Sequence, residues 1–256
     1  MAKRLGAHAA RLLEARKLHA AKGRREQGRF LFEGPTLLAE AFESGTEIEG
    51  IFSTRAAYEA TPLLADLEKN GVPVWEVDEK NAERLSDVTT PTGIVGVARR
   101  RFMGLSPLFA RPGIVLALAG LNDPGNVGTL LRSAEAFGAA GVIFGRPSVD
   151  PYHPKVVRAA MGSLFRVPLA LAEPGEVQAA AVSTGRTIVG LCDRGEPIRE
   201  RGLPRLAVLV VGGERTGLGL WEPLCARLVA IPMRAPVESL NAGVAASIAL
   251  FEAGGP

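Results

Sequence analysis

Apolar and polar positions are distributed unevenly along this 256-residue chain. In the second half, "IVLALAGL", "GVIFG", "TIVGLC", "LAVLVV" and "RLVAIP" are continuously apolar rather than alternating. Strands buried on both faces read this way, as in a parallel sheet. Helical patterns fall between them, over about 126–137, 153–163, 174–184 and 217–226, and "SLNAGVAASIALFEA" closes the chain. This alternation predicts a doubly wound α/β domain with its site in the loops at the strand C-terminal ends.

The first half reads differently. Residues 1–20 predict a helix, with Leu12, Leu13, Ala15, Leu18 and Ala20 set among cations. Shorter elements follow. "GPTLLAEAFESG" is a helix with Pro35 in its first turn and Gly45 as its stop, and "EIEGIFS" is a strand. A helix is expected from about Arg55 to Asn70, then strand "GVPVWEV", short helix "DEKNAERLS" and strand "TGIVGVA". Charge, Pro and Gly break the pattern after Ala98. The expected organisation is a basic helical arm over 1–29, a small α/β domain over 30–98, a linker over 99–112 and the parallel-sheet domain over 113–256.

Charge sharpens this picture. Residues 1–30 hold nine basic and two acidic side chains, net +7, while the whole chain is only +3. A basic arm on a near-neutral body points to phosphate contacts. No apolar run approaches the roughly 20 residues that a membrane helix needs, and the N-terminal stretch lacks a signal-peptide core, so a cytoplasmic protein is expected. Cys192 and Cys225 have neither metal nor redox spacing and read as buried thiols.

"VVGGERTGLG" follows a strand and is Gly-rich, but no lysine follows Gly217, so a P-loop is excluded, and the dinucleotide spacing is absent. What remains is a backbone, at Gly212, Gly213, Gly217 and Gly219, that a ligand could approach closely. Glu214 is the acid of this loop, a helix cap or a functional group. "MGSLF" lacks the second Gly of a nucleophile elbow, and no His, Asp or Glu cluster has metal-ligand spacing. Catalysis here must rest on Arg, Asn, Ser and backbone amides. Two further stretches offer these. In "LNDPGNVGTLLRSAEAFG", Val127, Leu130, Leu131, Ala134 and Phe137 form an apolar helix face, and Arg132 lies off it beside Thr129 and Glu135. An exposed pair with Glu135 would account for Arg132 on helical geometry alone. In "IPMRAPVESLNAG", Ser239 and Asn241 stand at a helix start, where either could cap.

Taken together, "DPGNVGTLLRSAEAFGAAGVIF", "LVVGGERTGL" and "IPMRAPVESLNAGVAASIALFEA" resemble the three signature motifs of the SpoU family of RNA 2′-O-ribose methyltransferases, within the SPOUT superfamily. "PYHPKVVRAAMGSLFRVPL" is also similar to that family, and the likeness spans about Val115 to Ala253. Residues 30–98 resemble the L30e-like substrate-binding domain often attached to it. One such motif would be weak; three in order, with the accessory domain, are specific. No key polar position departs from the pattern.

The resemblance implies a deep trefoil knot in the parallel-sheet domain, S-adenosylmethionine as methyl donor and a homodimer that completes the site. It makes Asn126, Arg132, Glu214, Ser239 and Asn241 the catalytic set: Asn126, Ser239 and Asn241 would hold Arg132, ribose and phosphate, and Glu214 would orient the loop or Arg132. Gly212, Gly213, Ile231, Met233 and Leu240, with Leu191 beside them, would line the cofactor pocket. No metal is implied. The family's proton acceptor corresponds to Arg132, although a guanidinium normally stays protonated. Arg132 is therefore expected either to take the 2′-hydroxyl proton or to stabilise the alkoxide charge. RNA would be gripped by the arm, the accessory domain and cations such as Arg158 and Arg166. Ribosomal RNA is favoured over transfer RNA. A non-catalytic RNA-binding or ribosome-assembly protein is the competing class.

Overall fold

Proline, glycine and buried apolar positions set most of the element boundaries. The computed structural model describes residues 3–6, 9–213, 216–234, 236 and 239–254, the side chains of residues 3 and 4 aside. In chain order the elements are β1 (Lys3–Arg4), α1 (Ala10–Lys17), α2 (Ala21–Gln27), β2 (Arg29–Glu33), α3 (Pro35–Glu43), β3 (Ile48–Ser53), α4 (Arg55–Ala60), α5 (Pro62–Lys69), β4 (Val74–Glu76), α6 (Glu79–Leu85) and β5 (Ile94–Arg99). There follow α7 (Leu105–Phe109), β6 (Val115–Ala119), α8 (Pro124–Ala136), β7 (Gly141–Gly145), α9 (Pro154–Ala159), α10 (Ser163–Arg166), β8 (Leu169–Leu171), α11 (Pro174–Thr184), β9 (Thr187–Pro197), α12 (Ile198–Arg201), β10 (Ala207–Gly212), a 3-10 helix (Gly219–Leu224), β11 (Arg227–Ala230) and α13 (Ala242–Glu252). They form two units, residues 1–100 with 152–165, and 101–151 with 166–256.

The first unit holds a mixed sheet in the order β1-β4-β3-β5-β2, with β5 antiparallel to both neighbours. Leu12, Ala15 and Leu18 recur at helical spacing and pack with Phe52, Trp75 and Val97 of the sheet. This burial changes the reading of the arm. The single helix expected over 1–20 is instead β1, parallel to β4, followed by α1. Arg24 is buried, and its Nη1 donates to the carbonyls of Leu18 and His19 at 2.9 and 2.8 Å. It thereby satisfies carbonyls left open where α1 ends. The helix expected over 55–70 is split into α4 and α5, because Pro62 drives Thr61 into an extended conformation. Opposite Gly96 the Phe32 ring lies where a Cβ would be. Phe32 then meets Phe165 at 5.9 Å, and Phe30 meets Tyr152 at 4.6 Å, so the segment 152–165 completes this unit's core.

The second unit is a six-stranded sheet in the order β11-β9-β10-β6-β7-β8, parallel at every pairing. Val115–Ala119, Gly141–Gly145 and Ala207–Val211 are buried at each position, which is why their sequences do not alternate. Its three-residue edge strand β8 is absent from the sequence reading, and the helix expected over 217–226 is a 3-10 turn containing Pro223. The stretch expected as a linker carries α7, with Leu108 and Phe109 in this core. Arg186, buried beneath it, donates to the carbonyls of Phe109, Arg111 and Gly113, and burial lowers its pKa. Among the described residues no helix is long and apolar enough to cross a membrane.

Candidate functional site

Strand β9 runs past the apolar "TIVGLC" to Pro197, and the excess length shapes a cavity. Val189 and Gly190 pair with Arg227 and Leu228 of β11; the next pairs are Glu196–Val229 and Pro197–Ala230. Residues 191–195 therefore bulge from the ladder, as an insertion in one strand must. Gly195 lets the strand return, since a Cβ there would sit 2.4–2.5 Å from the Val229 backbone. The bulge carries Leu191, Cys192, Asp193 and Arg194, which form one wall of a cavity of about 370 Å³.

The loop after β10 forms a second wall. Gly213 N donates to the Ala119 carbonyl at 3.2 Å, and Gly217 N to the Gly213 carbonyl at 2.9 Å. A Cβ on Gly212 would lie 2.2 Å from the Gly217 carbonyl oxygen, and one on Gly213 would lie 2.9 Å from that of Gly120. The glycines are thus needed for loops to pack backbone to backbone, a reason beyond the ligand approach read from sequence. Gly212 and Gly213 nevertheless line the cavity. Glu214 lies outside the described residues.

The third wall comes from the segment after β11. Ile231, Met233, Ser239 and Leu240 all line the same cavity. Asn241 starts α13, its Oδ1 accepting from Gly243 N and Val244 N at 2.9 and 3.2 Å. Its Nδ2 donates to Asn126 Oδ1 at 2.7 Å. Asn126 is placed by Asp123, the N-cap of α8, whose Oδ1 accepts from Asn126 N at 2.7 Å. One helix turn pair further along, Ser133 and Ser247 share a 2.6 Å hydrogen bond. The two helix starts are thereby joined side chain to side chain.

The structure thus brings Leu191, Gly212, Gly213, Ile231, Met233, Ser239 and Leu240 around one cavity, and joins Asn126 to Asn241. Arg132 is not among the cavity's lining residues. It is exposed on α8, six residues and ~9 Å of helix beyond Asn126. The pair with Glu135 suggested by helical spacing is not the one formed; Glu135 pairs with Arg166. Arg158, also expected at an RNA surface, meets Asp87 at 2.8 Å.

The sequence reading missed the polar mouth of the cavity. Asp193, Arg194, Thr216 and Glu222 line it, and Arg194 Nη2 donates to both Glu222 carboxylate oxygens at 3.0 and 3.1 Å. The available signal was the charged tail of "TIVGLCDRGEP", continuing an apolar run into Gly195. Cys192 lines the cavity, and both cysteines are half-buried rather than buried. Burial first, then Glu222 and Cys192, push the Cys225 thiol up to about 11. Among the described residues no group of His, Cys, Asp and Glu could hold a metal ion. Aliphatic walls with a small polar mouth suit an organic ligand that is part flat ring and part charged.

Comparison with known proteins gives the family. Residues 113–251 match the SpoU rRNA Methylase family, and residues 10–96 match the MRM3-like substrate binding domain. The chain is 33% identical to the uncharacterized tRNA/rRNA methyltransferase slr1673 of Synechocystis, over 94% of this chain and 89% of that one. It is 30% identical to the 23S rRNA (guanosine(2553)-2′-O)-methyltransferase RlmP of Bacillus subtilis, over 92% of each. An AdoMet-bound rRNA methyltransferase from Sinorhizobium meliloti has the same fold, with a TM-score of 0.87 at 29% identity over 98% of this chain and 97% of that one. The SpoU methyltransferase AviRb from Streptomyces viridochromogenes, in complex with AdoMet, gives 0.87 at 28% identity, over 96% and 97%. With the three loops meeting as described, the chain belongs to the SpoU rRNA Methylase family.

Proposed function

We propose that this protein methylates a ribose 2′-hydroxyl of ribosomal RNA, using S-adenosylmethionine, and does so as a cytoplasmic homodimer. The observation that carries the reading is the convergence of three sequence-distant loops on one cavity, beside the Asn126–Asn241 contact. When bound, S-adenosylmethionine supplies an activated sulfonium methyl. Leu191, Ile231, Met233 and Leu240 are of the right kind to cover its rings, and the backbone at Gly212 and Gly213 to hydrogen-bond its polar edges. In this reading the cavity belongs to the knotted part of the domain. Ribosomal RNA is preferred because the family matched over residues 113–251 and the relative RlmP of Bacillus subtilis are both named for rRNA.

The protein's own residues divide the remaining work. Asn126 and Asn241 fix the junction of α8 and α13 and offer amide groups to ribose or phosphate. Ser239 adds a hydroxyl at the rim, and Glu214 orients its loop. Arg132 stabilises negative charge on the attacking oxygen, with the proton passing to solvent or phosphate. In this reading Arg132, which is exposed and off its own chain's cavity, serves the cavity of a second copy, so that a homodimer completes the site.

The test pairs two measurements. Calorimetry with S-adenosylmethionine should show binding, and mass-spectrometric mapping of rRNA from cells with and without the gene should show one 2′-O-methyl group lost. Binding with no change in any rRNA ribose would overturn the proposed substrate. Absence of binding would overturn the activity.

A further inference from the structure

The first unit contains a cavity that the methyl-transfer reading does not use. It has a volume of about 350 Å³ and opens where the start of α1 passes over the sheet. Its floor is apolar and ringed: Phe52 and Trp75, with centroids 5.0 Å apart, flank it beside Leu18. Gly50 also lines the cavity, and the edge of the Trp75 ring occupies the place of its missing side chain, a Cβ there standing 2.3 Å from the ring. Exposed Arg11 holds its guanidinium 4.9 Å from the Trp75 centroid. A planar cation over an aromatic ring is already half of a stacking site.

The rim discriminates between ligands. Glu14 and Glu49 line the cavity together with Arg11 and Arg29, so its rim is balanced in charge and gives a free phosphate no net attraction. Glu49 is held by Arg99 at 2.7 Å and by Arg29 at 2.5 Å, whereas Glu14 meets only solvent-exposed Lys17, at 2.6 Å, among the ion pairs of the described residues. Gln27 donates to the Glu14 carbonyl at 3.1 Å, which closes the opening on the α2 side. A flat, uncharged ring with N–H donors on its edge satisfies the floor, the guanidinium and Glu14 Oε2, the carboxylate oxygen that Lys17 does not take. The surrounding charge suits a polyanion carrying that ring: Lys17, Lys22 and Arg25 are exposed along α1 and α2, within a 30-residue stretch of net charge +7.

We infer that this cavity captures an unstacked nucleobase of the RNA substrate, guanine foremost, stacked on Arg11 and hydrogen-bonded through its N–H edge to Glu14. Single-stranded RNA is commonly recognised by this combination of base stacking on aromatic or guanidinium planes and edge-on hydrogen bonds. The inference rests on the reading of RNA as substrate, and it assigns the first unit a base-selective role instead of a purely electrostatic one.

The experiment uses the full chain and two fluorescent oligouridine probes, one with a single central guanosine. Wild-type protein should bind the guanosine probe several-fold more tightly at fixed salt. Arg11→Ala and Glu14→Gln should each weaken that probe by roughly tenfold and leave the all-uridine probe within twofold. Both side chains are exposed, and thermal unfolding checks that the variants fold. As a second readout on the wild type, a probe with 6-thioguanosine at the centre should photo-cross-link to peptides bearing Arg11 or Trp75. Equal affinity for the two probes, or cross-links only elsewhere in the chain, would overturn the inference. Binding of S-adenosylmethionine by the same preparation separates the outcomes: if it binds and the cross-link is missing, this inference alone fails; if it does not bind, the methyltransferase reading fails.

Discussion

Asn241 spends both ends of its side-chain amide on the junction of two helices: Nδ2 donates to Asn126 Oδ1 at 2.7 Å, and Oδ1 caps α13. A substitution can separate these roles. Asn241→Asp keeps the capping oxygen and replaces the donor with a second acceptor facing Asn126. It should leave unfolding stability within ~1 kcal/mol of wild type while reducing methyl transfer strongly. Asn241→Ala removes both, and should cost about 1–2 kcal/mol as well as activity. Denaturant unfolding and turnover on the same preparations test the separation; equal activity in Asn241→Asp would show that the asparagine pair is structural only.

Arg132 is exposed and makes no wall of its own chain's cavity, so its loss should be felt in chemistry and not in cofactor affinity. Arg132→Ala is expected to bind S-adenosylmethionine as wild type does and to lose on the order of 100-fold or more in turnover, the size of one electrostatic contact to a developing oxyanion. Arg132→Lys discriminates the two roles: a pH–rate profile displaced to lower pH supports proton acceptance, and an undisplaced one supports charge stabilisation. The proposal that Arg132 serves a second copy has its own test: mixing Arg132→Ala with a variant unable to bind cofactor should restore part of the activity.

The bulge of β9 depends on Gly195, whose position against the Val229 backbone leaves no room for a methyl group. Gly195→Ala should destabilise the second unit by about 1–3 kcal/mol, the usual range for overpacking. It should also weaken S-adenosylmethionine binding, because the bulge is a cavity wall. Calorimetry alongside thermal unfolding would show whether the two losses travel together; unchanged affinity would detach the bulge from the site.

Cys225 supplies a pH dependence with a definite sign. Its thiol is raised to about 11 in the folded chain, above the ordinary value near 8.5. The neutral thiol is therefore favoured by folding. Its contribution is fully present below about pH 8.5 and is lost as pH rises through about 11. Unfolding measured from pH 8 to 11 should show stability falling more steeply in wild type than in Cys225→Ala. At pH 8 a thiol reagent should modify Cys225 slowly in the native protein, and fast modification would contradict the raised value.

What could be read from sequence follows physical scale. Long buried strands announce themselves: Val115–Ala119 and Ala207–Val211 are apolar throughout because both faces are covered. Local breaks are legible too when their cause is local, yet Pro62 was passed over inside an otherwise regular helical pattern. Three-residue β8 carries too few residues for any period to show. The walls of the cavity at Gly212, Ile231 and Leu240 came from motif resemblance, not periodicity. Asp193 and Arg194 lacked both signals, since only the return of β9 to β11 brings that charged tail to the cavity, and Glu222 reaches it from the 3-10 helix Gly219–Leu224. The pairing of Glu135 with Arg166 across 31 residues likewise overrode a short-range pair that helical spacing made plausible.

The segment 152–165, whose rings meet Phe30 and Phe32, also bears on how such a protein can be cut and recombined. The small unit is written in two pieces of gene, with a stretch of the larger one between them. A graft that stopped at Arg100 would carry two phenylalanines without the tyrosine and phenylalanine that cover them, and would be sticky or unfolded. Exchange of this unit between relatives therefore calls for two coordinated crossovers, one around each piece.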